Sequence, residues 1–306
     1  MSKRLVVVGA MNMDLAVSTH ELPKKGESVL GSSILQSPGG KGANQAVAAA
    51  LVGGTVSLIS MRGEDQYGLE LIDSAMASGV DVSLVQISEK ELTGTAVIAV
   101  DSHGDNMIVI SPGANSLITP EIASANLKLA KDVSVVSICG ELPLPTIKAS
   151  LETANGLGAT SVLNLSPYNP AALEFLRLAK VLVVNQHEAA DITGVSNPLQ
   201  DWPATISGFA TLGCSTVVVT LGADGAMILD CVDQNAAPVK IDSVKVKAVD
   251  TTGCGDAFTG AMCVELANGK DISTAVKFAV QVAAFAATSA GAQRSYGTLE
   301  QIGISA

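Results

Sequence analysis

The sequence predicts an α/β fold: a mostly parallel central sheet with helices on both faces, Rossmann-like in class, carrying a small inserted β lid. Three observations predict it. From residue 119 onward, short apolar runs alternate regularly with helical stretches, the pattern of a parallel sheet covered on both faces. The first strand candidate, Leu5-Val6-Val7-Val8, is apolar at every position, as a strand buried on both sides must be. Between residues 94 and 111, two β-like runs flank the turn-rich Asp101-Ser102-His103-Gly104-Asp105, a hairpin signal that breaks the βαβ rhythm.

Size and composition bound the function. A chain of 306 residues suits one large domain, taken as residues 1–306, with the lid built from about 14–37 and 93–112. Hydrophobic residues make up 48% and charged residues 15%, which excludes a disordered chain. The net charge of −11 argues against nucleic acid or an anionic membrane as partners, since both require a basic face. An anionic ligand must therefore be held locally, by oriented amides, a few Lys or Arg, and metal ions. Five cysteines, an odd number without a Cys-x-x-Cys spacing, read as buried thiols of a cytoplasmic protein. Met1-Ser2-Lys3-Arg4 leads directly into the first apolar run, with no secretory pattern. Residues 276–292 are apolar but Ala-rich and interrupted by Lys277 and Gln281, so they read as a core helix and not a membrane span.

In chain order, the strand at 5–8 ends in Gly9, and Asn12 and Asp14 follow at its carboxyl end, where open α/β sheets bind ligands. Asn-x-Asp in extended chain points both side chains to one side, where they can grip a vicinal diol; the same residues also suit an ordinary turn. The extended segment that follows belongs with the hairpin to the lid. A sheet that small needs cover on one face, so it either closes over substrate or pairs with a second subunit. Gly39-Gly40-Lys41-Gly42-Ala43-Asn44-Gln45 then opens a helix of small residues at 46–51. Neither a Walker-A loop nor a dinucleotide fingerprint is met, which leaves the amides, Asn44 and Lys41 available for sugar hydroxyls.

A strand at 55–59, a helix at 67–78 and the hairpin lead into the regular alternation. Its helices are expected at 120–130, 144–157, 171–178 and 203–212, and its strands at 133–138, 161–165, 181–184 and 216–221. Glu141 and Asn185-Gln186-His187-Glu188 sit just past strand ends; locally each acid is either a ligand contact or a solvated loop or first-turn helix acid. Asn164-Leu165-Ser166 matches a glycosylation triplet inside a predicted strand, and reads as coincidence.

The strongest stretch is Asp250-Thr251-Thr252-Gly253-Cys254-Gly255-Asp256-Ala257-Phe258, between an alternating β-type segment at 244–249 and a long Ala-rich helix. Glycines at a helix start expose main-chain N–H groups to an anion, and the helix dipole adds to the attraction. Asp256 beside such a cradle is either a helix cap or a general base toward a hydroxyl that attacks phosphorus.

That stretch resembles the C-terminal signature of the ribokinase-like (PfkB-type) carbohydrate and nucleoside kinases, and the other motifs follow in the family's order. The resemblance implies that Asp256 is the base and that Gly253, Cys254 and Gly255 form the anion hole. Cys254 stands where many members have Ala, a small change if only the main chain binds. It further implies a sugar site of Asn12, Asp14, Gly40, Lys41, Gly42, Asn44 and Glu141. The nucleotide would meet Asn185, Glu188, Thr220, Gly222, Gly225 and Gly255, with Glu188 acting through water on the Mg²⁺ of MgATP. Residues 278–289 would pack beside adenine, where Val280 replaces a His found in some members. A monovalent cation, K⁺, would lie among Asp250, Thr252, Ala286, Ser289, Gly291 and Ser295.

The function so implied is ATP-dependent phosphorylation of a pentose, D-ribose to D-ribose 5-phosphate before others, by a homodimer joined through its lids. Deoxyribose, fructose, adenosine and pseudouridine are rival acceptors on the same scaffold, and a sugar or nucleotide sensor without turnover is a rival of another class.

Overall fold

The structure, a computed structural model, describes residues 3–304. β1 (Arg4–Val8) is followed by β2 (Asn12–Ser18), and β3 (Leu35–Gly39) runs almost directly into α1 (Lys41–Leu51). Next come β4 (Val56–Ile59), β5 (Met61–Gly63), α2 (Gln66–Ala77), β6 (Gln86–Ser88), β7 (Gly94–Val100) and β8 (Asn106–Ser111). The alternating part comprises α3 (Pro120–Leu129), β9 (Val133–Cys139), α4 (Leu144–Gly156), β10 (Thr160–Asn164), β11 (Val181–Asn185), α5 (Gln186–Thr193), α6 (Trp202–Thr211) and β12 (Thr216–Thr220). β13 (Ala226–Asp230), β14 (Val239–Ile241), α7 (Cys254–Ala267), α8 (Ile272–Ala286) and α9 (Leu299–Ile302) complete it.

Among the described residues the main sheet has eight strands in the order β14-β13-β12-β11-β10-β9-β1-β4. The six from β12 to β4 are parallel, and β13 pairs antiparallel with both neighbours. The uniformly apolar strands explain the layering. Within β1, Leu5 and Val7 point into a core shared with α1, α2, α7 and α8, while Val6 and Val8 point into a second core under α3, α4, α5 and α6. The chain moves from β1 to β4 on one side and later returns to β9 on the other, so the order reverses at β1 and opens a crevice at the strands' carboxyl ends.

The lid is a separate four-stranded sheet, β3-β2-β7-β8, beside a two-stranded pair, β5-β6. The predicted hairpin is β7-β8, and β2 lies parallel to β7, a long-range pairing that no turn signal reveals.

Three expectations are corrected. Residues 244–249 alternate like a strand but have no ladder partner; Val244, Val246 and Val249 are exposed. The chain is tied down instead by Val249 N–H and Asp250 N–H, which donate to Ala287 O at 2.8 and 3.3 Å. The helix predicted at 171–178 is a 3₁₀ stretch, Pro170–Leu178, begun by Ala172 N–H donating to Asn169 O, with Asn169 Oδ1 accepting from Ala171 N–H. The third is α1, which begins at Lys41 and not at 46, so the glycine-rich stretch is a helix N-terminus more than a loop. Gly42, in its first turn, lies against the backbone of Gly9: a Cβ on Gly42 would come within 2.4 Å of Gly9 C. No helix among the described residues is long and apolar enough to cross a membrane.

Candidate active site

Asp256 occupies the first turn of α7 and is buried. Its carboxylate is held from two consecutive residues of α1: Asn44 Nδ2 donates to Oδ2 at 3.0 Å, and Gln45 Nε2 donates to Oδ1 at 3.2 Å. Asn44 is oriented in turn by Gln293 Nε2, which donates to its Oδ1 at 3.0 Å. A carboxylate used only as a helix cap would accept from main-chain N–H groups of its own turn. Asp256 accepts side-chain amides from the neighbouring helix instead.

The turn before it is built as the glycines require. Gly253 is the N-cap of α7 with φ 74°, a left-handed conformation that glycine adopts without strain. A Cβ there would lie 2.5 Å from Tyr296 Oη and 2.8 Å from the Ala292 Cβ. Tyr296 is buried and donates from Oη to Gly253 O at 2.9 Å, clamping the turn from behind. Cys254 N–H closes the turn onto Thr251 O at 3.2 Å, so it is not the free donor that the resemblance implied. The N–H groups of Gly253, Gly255 and Asp256 have no protein acceptor among the described residues, and Gly255 is exposed. They make a main-chain anion trap at a helix N-terminus.

Beside this turn opens a cleft of about 220 Å³, lined by Lys41, Gly253, Gly255 and Asp256 at one end and by Val183, Val184, Asn185, Glu188 and Thr220 along the sheet edge. Asn164, Ser166 and Thr251 complete the lining. Lys41 is in no ion pair among the described residues, and the nearby Asp256 charge, with Glu141 a smaller cause, holds its ammonium group above the ordinary lysine value. It is a free cation facing the place where an anion would sit.

The acids on the other side of Asp256 feel burial. Desolvation, with the nearby Asp256 charge second, pushes the Asp14 carboxyl up to about 6. Desolvation pushes Glu141 up to about 7 against the lowering effect of Lys41, although its Oε2 accepts from Lys41 N–H at 2.8 Å. Glu141 thereby anchors the N-terminus of α1. Asn12 is buried at the start of β2, and its Oδ1 accepts from Asn115 Nδ2 at 2.9 Å. Asp14 lies over Gly39 of β3, next to Gly40, the N-cap of α1. Asn12, Asp14, Gly40, Gly42 and Glu141 thus gather around the start of α1, and Lys41, Asn44 and Asp256 stand between them and the cleft.

Not every expected residue reaches the cleft. Asn185 and Glu188 line it, yet they also form a capping box on α5: Asn185 Oδ1 accepts from His187 and Glu188 N–H, and Glu188 Oε2 accepts from Asn185 N–H at 2.8 Å. Thr220 lines the cleft, whereas Gly222 is exposed in a 3₁₀ turn and Gly225, at φ 92°, is pressed against Ile241 O as a turn residue. Val280 is buried in α8 within the core. Sequence reasoning assigned no role to Gln45, Gln293, Asn164, Ser166 or Thr251. Asn164 and Ser166 were legible, since they stand at the carboxyl end of a parallel strand as Glu141 and Asn185 do; these two ends of the chance glycosylation triplet line the cleft.

The residues expected around a monovalent cation divide. Asp250 Oδ1 accepts from Thr252 N–H at 2.9 Å and Thr252 Oγ1 at 2.7 Å, and Oδ2 accepts from Gly291 N–H at 2.8 Å. These donors outweigh partial burial and hold the carboxyl below its ordinary value, so it is an anion behind the trap. Ser295 turns its Oγ onto Ala292 O at 2.8 Å, and Ala286 O accepts from Ser289 N–H at 3.3 Å. No group of three or more His, Cys, Asp or Glu among the described residues could cage a metal. Asn185 and Glu188, which line the cleft, offer the oxygen ligands that would suit a largely hydrated Mg²⁺.

An acid held beside a main-chain anion trap, at the switch point of a parallel sheet and with a small sheet adjoining, defines a phosphotransferase of the α/β class. The chain belongs to the pfkB family of carbohydrate kinases, matching it over residues 2–299. It is 36% identical over 304 residues to the ribokinase of Bacillus subtilis (strain 168), covering 98% of each chain. It is also 30% identical over 299 residues to the deoxyribokinase of Salmonella typhimurium, covering 97% of this chain and 96% of that one. The structure of Arabidopsis thaliana ribokinase complexed with ribose and ATP matches it with a TM-score of 0.90 at 29% identity, over 99% of this chain and 98% of that one.

Proposed function

We propose that this chain transfers the γ-phosphoryl group of ATP to the primary hydroxyl of a pentose, with D-ribose as acceptor and D-ribose 5-phosphate and ADP as products. The observation that carries the reading is the position of Asp256, between the acids and amides at the start of α1 and the cleft that ends in the anion trap. A sugar held by Asn12, Asp14, Gly40, Gly42, Asn44 and Glu141 would present a hydroxyl to Asp256, which takes its proton as the oxygen attacks phosphorus. The bond from phosphorus to the bridging oxygen of ADP breaks, and Lys41 with the N–H groups of Gly253 and Gly255 steadies the migrating phosphoryl charge. Glu188 would hold, through water, the Mg²⁺ that comes with ATP, and the ion would supply neutralisation of the phosphate charge. Asp250, with Thr252, Ala286, Ser289, Gly291 and Ser295 nearby in the chain's fold, would hold a K⁺ that supplies positive charge behind the trap.

Burial of a base beside an anion trap favours turnover over a sensor. Deoxyribose is the acceptor that stands nearest, since relatives carry that name; fructose, adenosine and pseudouridine are further alternatives. The reading extends to a cytoplasmic enzyme, which suits five free cysteines. It extends also to a homodimer joined through the lid, a part of the one domain that closes over the sugar. β8 supports this, because its residues are all exposed and Met107, Ile108, Val109 and Ile110 place apolar groups on both of its faces. ADP release measured across pentoses, hexoses and nucleosides, with and without K⁺, tests the whole reading. Highest kcat/KM on a hexose or nucleoside would overturn the acceptor.

A further inference from the structure

Gln45 is fully buried, and a buried amide is tolerated only where its donor and acceptor are matched. Its Nε2 faces Asp256 Oδ1 at 3.2 Å and Asn164 Oδ1 at 3.4 Å, and its Oε1 accepts from Ser137 Oγ at 2.9 Å. That assignment is fixed chemically: an ionised carboxylate only accepts, so nitrogen must face Asp256 and oxygen the Ser137 hydroxyl. Ser137 lies in β9 and Asn164 ends β10, adjacent strands in rigid register. The amide therefore ties the acid to the sheet.

The backbone sets the same relationship. Gly260 lies one helical turn after Asp256 on the same face of α7. A Cβ on Gly260 would meet Gln45 O at 2.4 Å and Ala49 N at 3.2 Å. The helices touch main chain to main chain at that point, so Gln45 cannot drift relative to the turn that carries Asp256. With Asn44 taking the other carboxylate oxygen, the acid is held by one amide on each oxygen, and each oxygen keeps a lone pair for an incoming hydroxyl.

We propose that Gln45 is a positioning residue for phosphoryl transfer: anchored by Ser137 and by the contact of α1 with Gly260, it aims the Asp256 carboxylate at the acceptor hydroxyl. The proposal rests on Asp256 being the base, and the experiment separates the two.

The full-length enzyme is assayed as wild type, Gln45→Met, Ser137→Ala, Asp256→Asn and the Gln45→Met/Asp256→Asn double variant, with thermal unfolding recorded for each. Met keeps the volume of Gln and removes the amide. The expected result is a fall in kcat of about 10-fold to 10²-fold for Gln45→Met, in the range that misplacing a reacting group produces, with KM for ATP unchanged. Ser137→Ala, which frees Gln45 without touching the acid, should lower kcat less. In the double variant Gln45→Met should take nothing further from kcat, because there is no base left to aim.

A Gln45→Met enzyme within twofold of wild-type kcat overturns the proposal, as does an equal loss in the Asp256→Asn background, which would mark a packing role. If Gln45→Met does not fold, Ser137→Ala decides, and wild-type kcat in that variant rejects the proposal. Full turnover by Asp256→Asn, or no pentose phosphorylated by the wild type, rejects the base or the function instead.

Discussion

Asn44 Nδ2 donates to Asp256 Oδ2 at 3.0 Å, between residues 212 positions apart in the chain. The contact joins the start of α1 to the start of α7, two helix N-termini on one side of the sheet. Around it the polar groups are arranged by charge. The acids Asp14, Glu141 and Asp256 surround one ammonium group, Lys41, and main-chain N–H groups face the cleft. Such a site can hold a neutral polyol on one side and a polyanion on the other.

Replacing Asp256 by Asn keeps the shape of the side chain and removes its basicity. We expect kcat to fall at least about 10²-fold, corresponding to about 2.7 kcal/mol of barrier. Steady-state ADP release by the purified variant measures it, and wild-type turnover would refute the assignment.

Tyr296→Phe deletes one hydroxyl behind the anion trap. Gly253 O keeps a second donor, Ala257 N–H at 2.9 Å, so no buried acceptor is orphaned and the stability cost should be about 1 kcal/mol. The turn loses its rear clamp, however, and kcat should drop by about threefold to tenfold, less than a full misplacement of the trap would cost. Denaturant unfolding read beside kcat checks both; a stability loss without a catalytic one would show that the clamp does not shape the trap.

Burial of Glu141 makes stability depend on pH. Its carboxyl has an ordinary value of 4.5 and is pushed up to about 7 in the folded protein, so between those values the folded state binds the extra proton. Stability contributed by the protonated group is complete below 4.5 and is lost as pH rises through about 7. Asp14 acts in the same sense from 3.8 to about 6. Glu141→Gln should therefore gain on the parent as pH climbs through this window and hold a constant advantage above it. Urea midpoints measured from pH 4 to pH 8, on the order of the window itself, test this; parallel curves would contradict it.

Val109 stands in β8 opposite Val97 of β7, and both are exposed. An Asp or Glu placed there would put charge into any joint between two lids. We expect Val109→Glu to sediment as a monomer where the parent sediments as a dimer, with its folded core unaltered by circular dichroism. A parent that is monomeric at micromolar concentration would dispose of the lid interface.

The features that lie close together along the chain were legible in the sequence. Apolar runs such as Leu5-Val6-Val7-Val8 announced buried parallel strands, the turn at residues 101–105 announced the lid hairpin, and glycines ahead of Asp256 announced a main-chain anion trap, because each depends on neighbours in sequence. The alternation at 244–249 misled for the same reason. Period two specifies an extended chain, and only a partner with free hydrogen-bonding edges makes it a strand.

What residues do across distance was decided in the tertiary structure. Gln45 and Gln293 look like ordinary polar residues until α1, β10 and the segment after α8 converge. Their contacts span 211 residues to Asp256 and 249 to Asn44. Cys254 N–H is spent on Thr251 O, Gly225 is a left-handed turn residue pressed against Ile241 O, and Glu141 is buried against a helix start. Local patterns state which groups a chain offers. Packing decides which of them are desolvated, paired or left free, and chemistry follows from that choice.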